Sequence, residues 1–457
     1  MTLAVRNPAT GAPGARLPDD DAAGVAAKYA RAREGAQGWA ALPLERRLEA
    51  IRQLRAGVER DADPLAKILT AEVGKPIAQS RAELKGLLGR LDFFLSEAPS
   101  VLAEAAVHAQ PGLEERITRE PLGVIANISA WNYPWFVGSN VFVPALLAGN
   151  AVLYKPSEHA ALTGLEIARL VRESGVPDDA FIPVLGAGEA GAALVEQPVD
   201  GIFFTGSVAT GKRIARAAAG RMVKLQLELG GKDPVYVCED VEVARAAASV
   251  ADGAFYNTGQ SCCSVERVYV RESIFAPFVE AFVETVRGFG IGDPMDETTY
   301  IGPLAREAQL EVLERQVDDA RAKGARVLLG GRRLARPGHW FEPTVLVDVD
   351  HTMAVMREET FGPVIGLMPV ADDEAAIAVM NDTGYGLTAG VYTPDRERAR
   401  RILAKVRAGS VYWNCCDRVS PRLPWSGVGD SGIGLTLSRA GIEAFTRPKA
   451  WHLRDAC

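Results

Sequence analysis

Gly123-Val124-Ile125-Ala126-Asn127-Ile128 is a short apolar run; a polar turn follows over residues 129–134, then a helical segment, then a second apolar run, Ala151-Val152-Leu153-Tyr154. Apolar runs of this length between turn residues read as buried strands. The same order recurs at Phe181-Ile182-Pro183-Val184-Leu185 and at Gly201-Ile202-Phe203-Phe204, with helices between. Strands that alternate with helices predict a parallel sheet covered on both faces. No charged residue occurs from 121 to 154, a span long enough for a membrane helix, yet it contains three prolines, three glycines and four asparagines. A lipid-embedded helix there would be broken and polar, so the span reads as protein core packed around a site.

Working outward, residues 20–97 have helical periodicity and few β-branched residues, as in Leu44-Glu45-Arg46-Arg47-Leu48-Glu49-Ala50-Ile51-Arg52-Gln53-Leu54, which predicts several packed helices. Arg116-Ile117-Thr118-Arg119-Glu120 alternates apolar and charged residues, the pattern of an exposed strand. After Gly231 the alternation begins afresh: Val235-Tyr236-Val237-Cys238, a helix near residues 241–258, then Arg267-Val268-Tyr269-Val270. A second α/β unit is expected to run to about residue 424. The tail Arg447-Pro448-Lys449-Ala450-Trp451-His452-Leu453-Arg454 reads as a last, partly exposed strand.

At 457 residues the chain exceeds the roughly 250 to 300 at which single cores stop growing, so two or three domains are expected. Charged residues make up 24% and hydrophobic ones 48%, a soluble globular balance. A formal charge of -7 without any basic run interleaved with aromatics argues against a nucleic-acid partner. The six cysteines, Cys238, Cys262, Cys263, Cys415, Cys416 and Cys457, form neither a CxxC knuckle nor a disulfide framework, and five scattered histidines add no ligand cluster. No metal, a reducing cytoplasm and no membrane are therefore expected; residues 1–11 lack the apolar core of a signal peptide.

Two segments carry chemistry: Leu227-Glu228-Leu229-Gly230-Gly231-Lys232 and, with its cysteine 34 positions after that glutamate, Gly259-Gln260-Ser261-Cys262-Cys263. A thiol nucleophile and a carboxylate that activates water are what making and hydrolysing a thioester requires. A lone cysteine is more often inert core filler, and no histidine accompanies either segment. Phe203-Phe204-Thr205-Gly206-Ser207-Val208-Ala209-Thr210-Gly211-Lys212 passes from strand through a glycine turn into a helix, which suits a pyrophosphate but is also an ordinary tight connection. It is not the GxGxxG fingerprint. Lys155-Pro156-Ser157-Glu158 and Arg357-Glu358-Glu359-Thr360-Phe361-Gly362-Pro363 would each pass for solvated loops on their own.

Taken together and in order, these segments resemble the aldehyde dehydrogenase superfamily, and the resemblance extends over nearly all of the chain. It implies an α/β fold with a Rossmann-like dinucleotide-binding domain (residues 1–102 and 122–230), a second α/β catalytic domain (231–424) and a small β oligomerisation arm and tail (103–121 and 425–457). It further implies oxidation of an aldehyde to the acid, with NAD, or NADP, as hydride acceptor. Cys262 is then the nucleophile, being the second residue after the glutamine of the Gly-Gln pair, with Glu228 the general base and Asn132 an oxyanion donor. Lys155 and Glu158 would hold the adenosine ribose, Gly188 would let the adenine pack closely, and Gly206 and Ser207 match the phosphate turn. Glu359 would hold the nicotinamide ribose and Phe361 rest on the nicotinamide, with Ser129 and Trp131 beside them.

The substrate pocket is expected to include Tyr133, Asn140, Ser261, Cys263, Asn414 and Val419, with Tyr133 and Trp135 as aromatic surface and Trp413, Val419 and Trp425 around the entrance; Arg418 and Arg422 could bind an anionic tail, though an arginine in a polar loop is usually solvated. Eight residues after Asn132, a Trp resembles betaine aldehyde enzymes and an Arg resembles succinic semialdehyde enzymes; here the residue is Asn140, and an uncharged aldehyde is expected. A homodimer or homotetramer is implied. The alternatives are a CoA-acylating relative, which generally lacks the general-base glutamate, a non-redox cysteine hydrolase, and a catalytically silent binding protein.

Overall fold

The computed structural model describes residues 2–455. The apolar runs that opened the sequence reading form the centre of a six-stranded sheet. Its order is Phe181–Pro183, Ala151–Lys155, Val124–Ile128, Gly201–Thr205, Lys224–Glu228 and Gly432–Ile433, parallel except for the last. Val124–Ile128 and Ala151–Lys155 are buried at every position, which explains their unbroken apolar character. The chain moves outward from Val124–Ile128 to one side and then resumes beside it with Gly201–Thr205, so a crevice opens at the carboxyl ends where the order reverses. The uncharged span continues as the helix Pro134–Leu147, buried almost throughout and started by Pro134, where a missing N–H costs nothing.

A second, seven-stranded sheet has the order Arg326–Leu329, Thr344–Val347, Val364–Val370, Val265–Arg271, Asp233–Val237, Thr388–Tyr392 and Ser410–Trp413. Only Arg326–Leu329 runs antiparallel to its neighbour. The expected helices appear as Ala22–Ala41, Leu44–Arg60, Ala62–Val73 and Ile77–Val101. In Leu44–Arg60, Leu48, Ile51, Leu54 and Val58 face the core while Arg52 pairs with Glu45 and Glu49 outside. Among the described residues no helix is long and apolar enough to cross a membrane.

A three-stranded sheet stands apart: Thr446–Arg454, Leu113–Pro121 and Ala105–Gln110, all antiparallel, with the alternating 116–120 run on the middle strand. Residues 425–445, expected with the arm and tail, pack elsewhere. Gly432–Ile433 joins the first sheet beside Glu228, and Leu437, Ile442 and Phe445 enter that unit's core, where the Phe445 ring stacks on Phe203 at 4.4 Å. The stretch has no strong periodicity of its own, and its contacts with Leu227, Glu228 and Phe203 give it a place.

Gly432 is what allows that contact. It holds φ 132° and ψ -169°, a region open essentially to glycine, and a Cβ there would collide with the Leu227 carbonyl. Gly432→Ala is expected to pull this strand from Lys224–Glu228 and cost about 1–3 kcal/mol, read as a lower unfolding midpoint; an unchanged midpoint would contradict the close approach.

Candidate active site

The loop after the helix Val243–Phe255 carries Cys262. Asn257, Thr258 and Gly259 turn it through three consecutive left-handed conformations, φ 53°, 58° and 70°. A Cβ at Gly259 would strike the Gly362 carbonyl, so the turn packs backbone against backbone. The loop is tied down by amides. Asn132 and Asn257 both donate to the Gln260 carbonyl at 3.1 Å, the Asn257 N–H donates to Gln79 Oε1 at 2.9 Å, and the Ala305 N–H donates to Gln260 Oε1 at 2.9 Å. One Asn132 amide hydrogen is used in this way, which leaves the other for a ligand.

Cys262 opens onto a cavity of about 400 Å³. Glu228, Tyr133, Asn140, Ser261, Cys263 and Val419 line it with Cys262, as expected, and so do Trp425, Arg418 and Arg422. Asn414 does not: its side chain turns away to exchange hydrogen bonds with the backbone of Thr393, at 3.0 and 2.9 Å. Trp413 likewise donates to the Thr393 carbonyl, and Trp135 is buried in the core. Neither lines the cavity: Trp135 faces the core of the first unit, and Trp413 lies partly exposed on the edge strand Ser410–Trp413.

Glu228 ends its strand with Oε1 accepting from Gln226 at 3.0 Å and from the Thr436 hydroxyl. Burial pushes its carboxyl up to about 7, against these hydrogen bonds, which favour the ionised form. Cys263 is buried, and its thiol donates to Asp417 Oδ1 at 2.9 Å. Burial also pushes Asp417 up, to about 6.

Several cavity residues were absent from the sequence reading. Gln79, Glu83, Gly86 and Arg90 lie at intervals of four, three and four on the helix Ile77–Val101, so one stripe of it faces the cavity. Glu83 is fully buried, pairs with Lys75, and accepts the N–H groups of Trp135 and Phe136 at 3.0 and 3.4 Å. The Lys75 ammonium lies 3.7 Å from the Tyr133 ring centre. Charged residues on an otherwise buried helical face were the available signal, visible only once the face was known to be buried.

The proposed nucleotide residues gather at the strand ends of the first sheet. Ser129 follows Val124–Ile128, Lys155 closes Ala151–Lys155, Gly206 and Ser207 follow Gly201–Thr205, and Gly188 starts the helix Gly188–Glu196. Ser207 caps the helix Val208–Ala218, whose N-terminus faces the same crevice. Lys155 is only 4% exposed, yet among the described residues its ammonium donates solely to the Pro156 carbonyl at 3.1 Å and sits 3.9 Å from Glu158. That leaves a buried cation with free donors beside a half-exposed carboxylate, a pair suited to ribose hydroxyls. Trp131 meets Phe361 edge-on at 5.6 Å, and Glu359 accepts the Gly231 N–H at 3.1 Å. Phe361 holds φ 48°, fixed by its N–H on Glu266, which is in turn paired with Lys232 at 2.6 Å. These donors and surfaces fit a dinucleotide.

Residues 1–451 match the model of the aldehyde dehydrogenase family. The chain belongs to that family. It is 36% identical over 444 residues, 96% of its own length and 88% of the other's, to aminoaldehyde dehydrogenase 1, peroxisomal, of Pisum sativum. A betaine aldehyde dehydrogenase point mutant from Staphylococcus aureus, solved with NAD+, superposes with a TM-score of 0.96 at 30% identity, covering 99% of this chain and 94% of that one. An NADP-dependent enzyme from E. coli superposes with a TM-score of 0.96 at 32% identity, with 99% and 95% covered. The chain is thus an NAD(P)-dependent oxidoreductase that converts an aldehyde to its acid.

The geometry separates the two adjacent thiols. Cys262 is half-buried at the cavity and Cys263 is buried on Asp417. Iodoacetamide at limiting dose is expected to alkylate Cys262 and spare Cys263; peptide mass spectrometry showing the reverse order would contradict the placement.

Proposed function

We propose that Cys262 is the nucleophile, Asn132 an oxyanion donor and Glu228 the base of this aldehyde oxidation. The observation that carries the reading is that Cys262 and Glu228, from different parts of the fold, open into one cavity, while Asn132 ties the Cys262 loop through the Gln260 carbonyl and keeps a second amide hydrogen. The Cys262 sulfur adds to the carbonyl carbon, and the displaced electron pair goes to oxygen. The free Asn132 hydrogen and the Cys262 N–H receive that oxyanion; removing one such donor costs about 3–4 kcal/mol. The dinucleotide, when bound, supplies the acceptor for the hydride that the carbon loses as a thioester remains on Cys262. Glu228 then takes a proton from water, the oxygen adds to the thioester carbon, and the sulfur leaves with release of the acid. A carboxylate with its pKa near 7 is well matched to this task at neutral pH. Its presence favours water over a thiol such as CoA as acceptor.

Cys262→Ala is expected to abolish NADH formation, a loss of at least several kcal/mol in the barrier, while NAD binding persists. Glu228→Gln is expected to keep a rapid burst of NADH and lose steady turnover, since the burst precedes the base. In the wild type, Glu228 must be ionised to act, so deacylation should rise with pH through about 7 and level off above it. Absence of the burst in the Gln variant would move Glu228 to an earlier step.

The cofactor preference we infer is NAD over NADP. Glu158 stands beside Lys155 where a ribose 2'-hydroxyl would be accepted. A phosphate there would meet a like charge, at about 1 kcal/mol in water and up to ~4 with less screening at 4 Å. Glu158→Ser should raise kcat/KM with NADP; a wild type that prefers NADP would defeat the assignment.

The three-stranded arm has open edges, and Ser410–Trp413 is an edge strand exposing Val411 and Trp413. Open edges of this kind support a homo-oligomer, dimer or tetramer, in which the arm of one copy would pair with that edge of another. Free thiols at Cys262, Cys263, Cys415 and Cys416 support a reducing, cytoplasmic setting.

A further inference from the structure

The helix Ile77–Val101 places Arg90 on the wall of the cavity that Cys262 opens into. Arg90 is only 5% exposed. Among the described residues its guanidinium has one hydrogen bond, to Asn140 Oδ1 at 2.7 Å, and no carboxylate within ion-pair distance, while its plane rests 4.1 Å from the Phe136 ring centre. A guanidinium carries five N–H donors, so most of them are left without a partner among the described residues. A buried cation without a counter-charge is costly, and proteins rarely keep one that nothing meets.

Glu83 and Glu228 favour the charge of Arg90 from a distance, but neither comes within ion-pair reach of it. Glu83 is committed to Lys75 and to two backbone N–H groups. Asp417 accepts the Cys263 thiol, and Glu228 is held by Gln226 and Thr436. At the entrance stand two further cations, Arg418 and Arg422. Asn140 turns its carbonyl oxygen to Arg90 and fixes the fork, and Phe136 supports its face. The site is therefore built around a fixed cation.

The geometry points to Arg90 as the anchor for an anionic tail, so that the preferred substrate is an aldehyde carrying a distal carboxylate. This assignment rests on Cys262 being the nucleophile. It departs from the uncharged substrate expected from the sequence, because the residue that decides it sits on a helix read there only as packing. It also separates this chain from relatives named for aminoaldehydes and betaine aldehyde, since an ammonium group would face an unpaired guanidinium.

The test compares kcat/KM, with NAD in excess, for 4-oxobutanoate, 5-oxopentanoate and 6-oxohexanoate against butanal, pentanal and hexanal, with betaine aldehyde as the cationic probe. The best oxo-acid should exceed its neutral counterpart by about ten- to a hundredfold, the range of a charged hydrogen bond, chiefly through KM, and betaine aldehyde should be the poorest. Arg90→Gln should collapse the acid-to-neutral ratio toward one, and Arg90→Lys should restore part of it; the ratio is the readout because Arg90 also positions Asn140. Neutral aldehydes equal to or better than every oxo-acid, a preference for betaine aldehyde, or a ratio untouched by Arg90→Gln would each overturn the assignment. The wild-type comparison decides the matter even if the variants fail to fold. Turnover of the neutral series that is lost in Cys262→Ala, without preference for the acids, would sink the Arg90 assignment alone; no turnover of any aldehyde would sink the catalytic reading as well.

Discussion

The carbonyl oxygen of Gln260 is the point on which the site depends. It receives amide hydrogens from Asn132, on the turn after the first sheet's central strand, and from Asn257, within the cysteine loop. Gln79 adds a third tie from the helix Ile77–Val101. All of these groups are buried, so losing one partner leaves a polar atom unpaired at about 1–3 kcal/mol. The left-handed residues Asn257 and Thr258 carry strain of order 1–3 kcal/mol each, and the hydrogen bonds offset it. One knot thus holds the Cys262 loop against the unit that carries the first sheet's crevice.

Buried charge organises the remainder. Lys232 and Glu266 form a closed pair, and Glu266 spends its remaining capacity on the N–H groups of Thr360 and Phe361. The lysine that ends the Glu228 segment therefore shapes the loop bearing Glu359 and Phe361. Lys75 and Glu83 act alike beneath Tyr133 and the start of the helix Pro134–Leu147. Such pairs add little net stability, because desolvation consumes most of the attraction. Their effect is to fix backbone direction at the cavity wall. Arg90 differs from both in having no carboxylate within ion-pair distance among the described residues.

Much of this was legible in the chain. The apolar runs at 123–128, 151–154 and 201–204 are buried on both faces, and a strand so placed must be apolar throughout, so sequence and location are tightly linked. Cys262 and Glu228 stood out because they sit in compact, glycine-flanked segments, and glycine is needed where Gly259 meets the Gly362 backbone. Asn414 was misjudged as a cavity residue because a sequence position carries no side-chain direction, and its φ of 54° turns the amide toward Thr393. The tail from 425 to 445 was misjudged because its place depends on contacts some two hundred residues away, at Leu227 and Phe203.

By itself, then, the sequence determined the α/β alternation and the central strands and singled out Cys262 and Glu228 as candidates, since local periodicity and glycine-bounded segments are read directly from it. Only the tertiary structure decided which polar side chains share the cavity. Gln79, Glu83 and Arg90 are ordinary members of a helical pattern until packing of the helix Ile77–Val101 removes water from one stripe of it. Desolvation is a property of the neighbours, and it is desolvation that turns an unremarked arginine into a buried charge, without a contacting carboxylate among the described residues, in the cavity that Cys262 opens into.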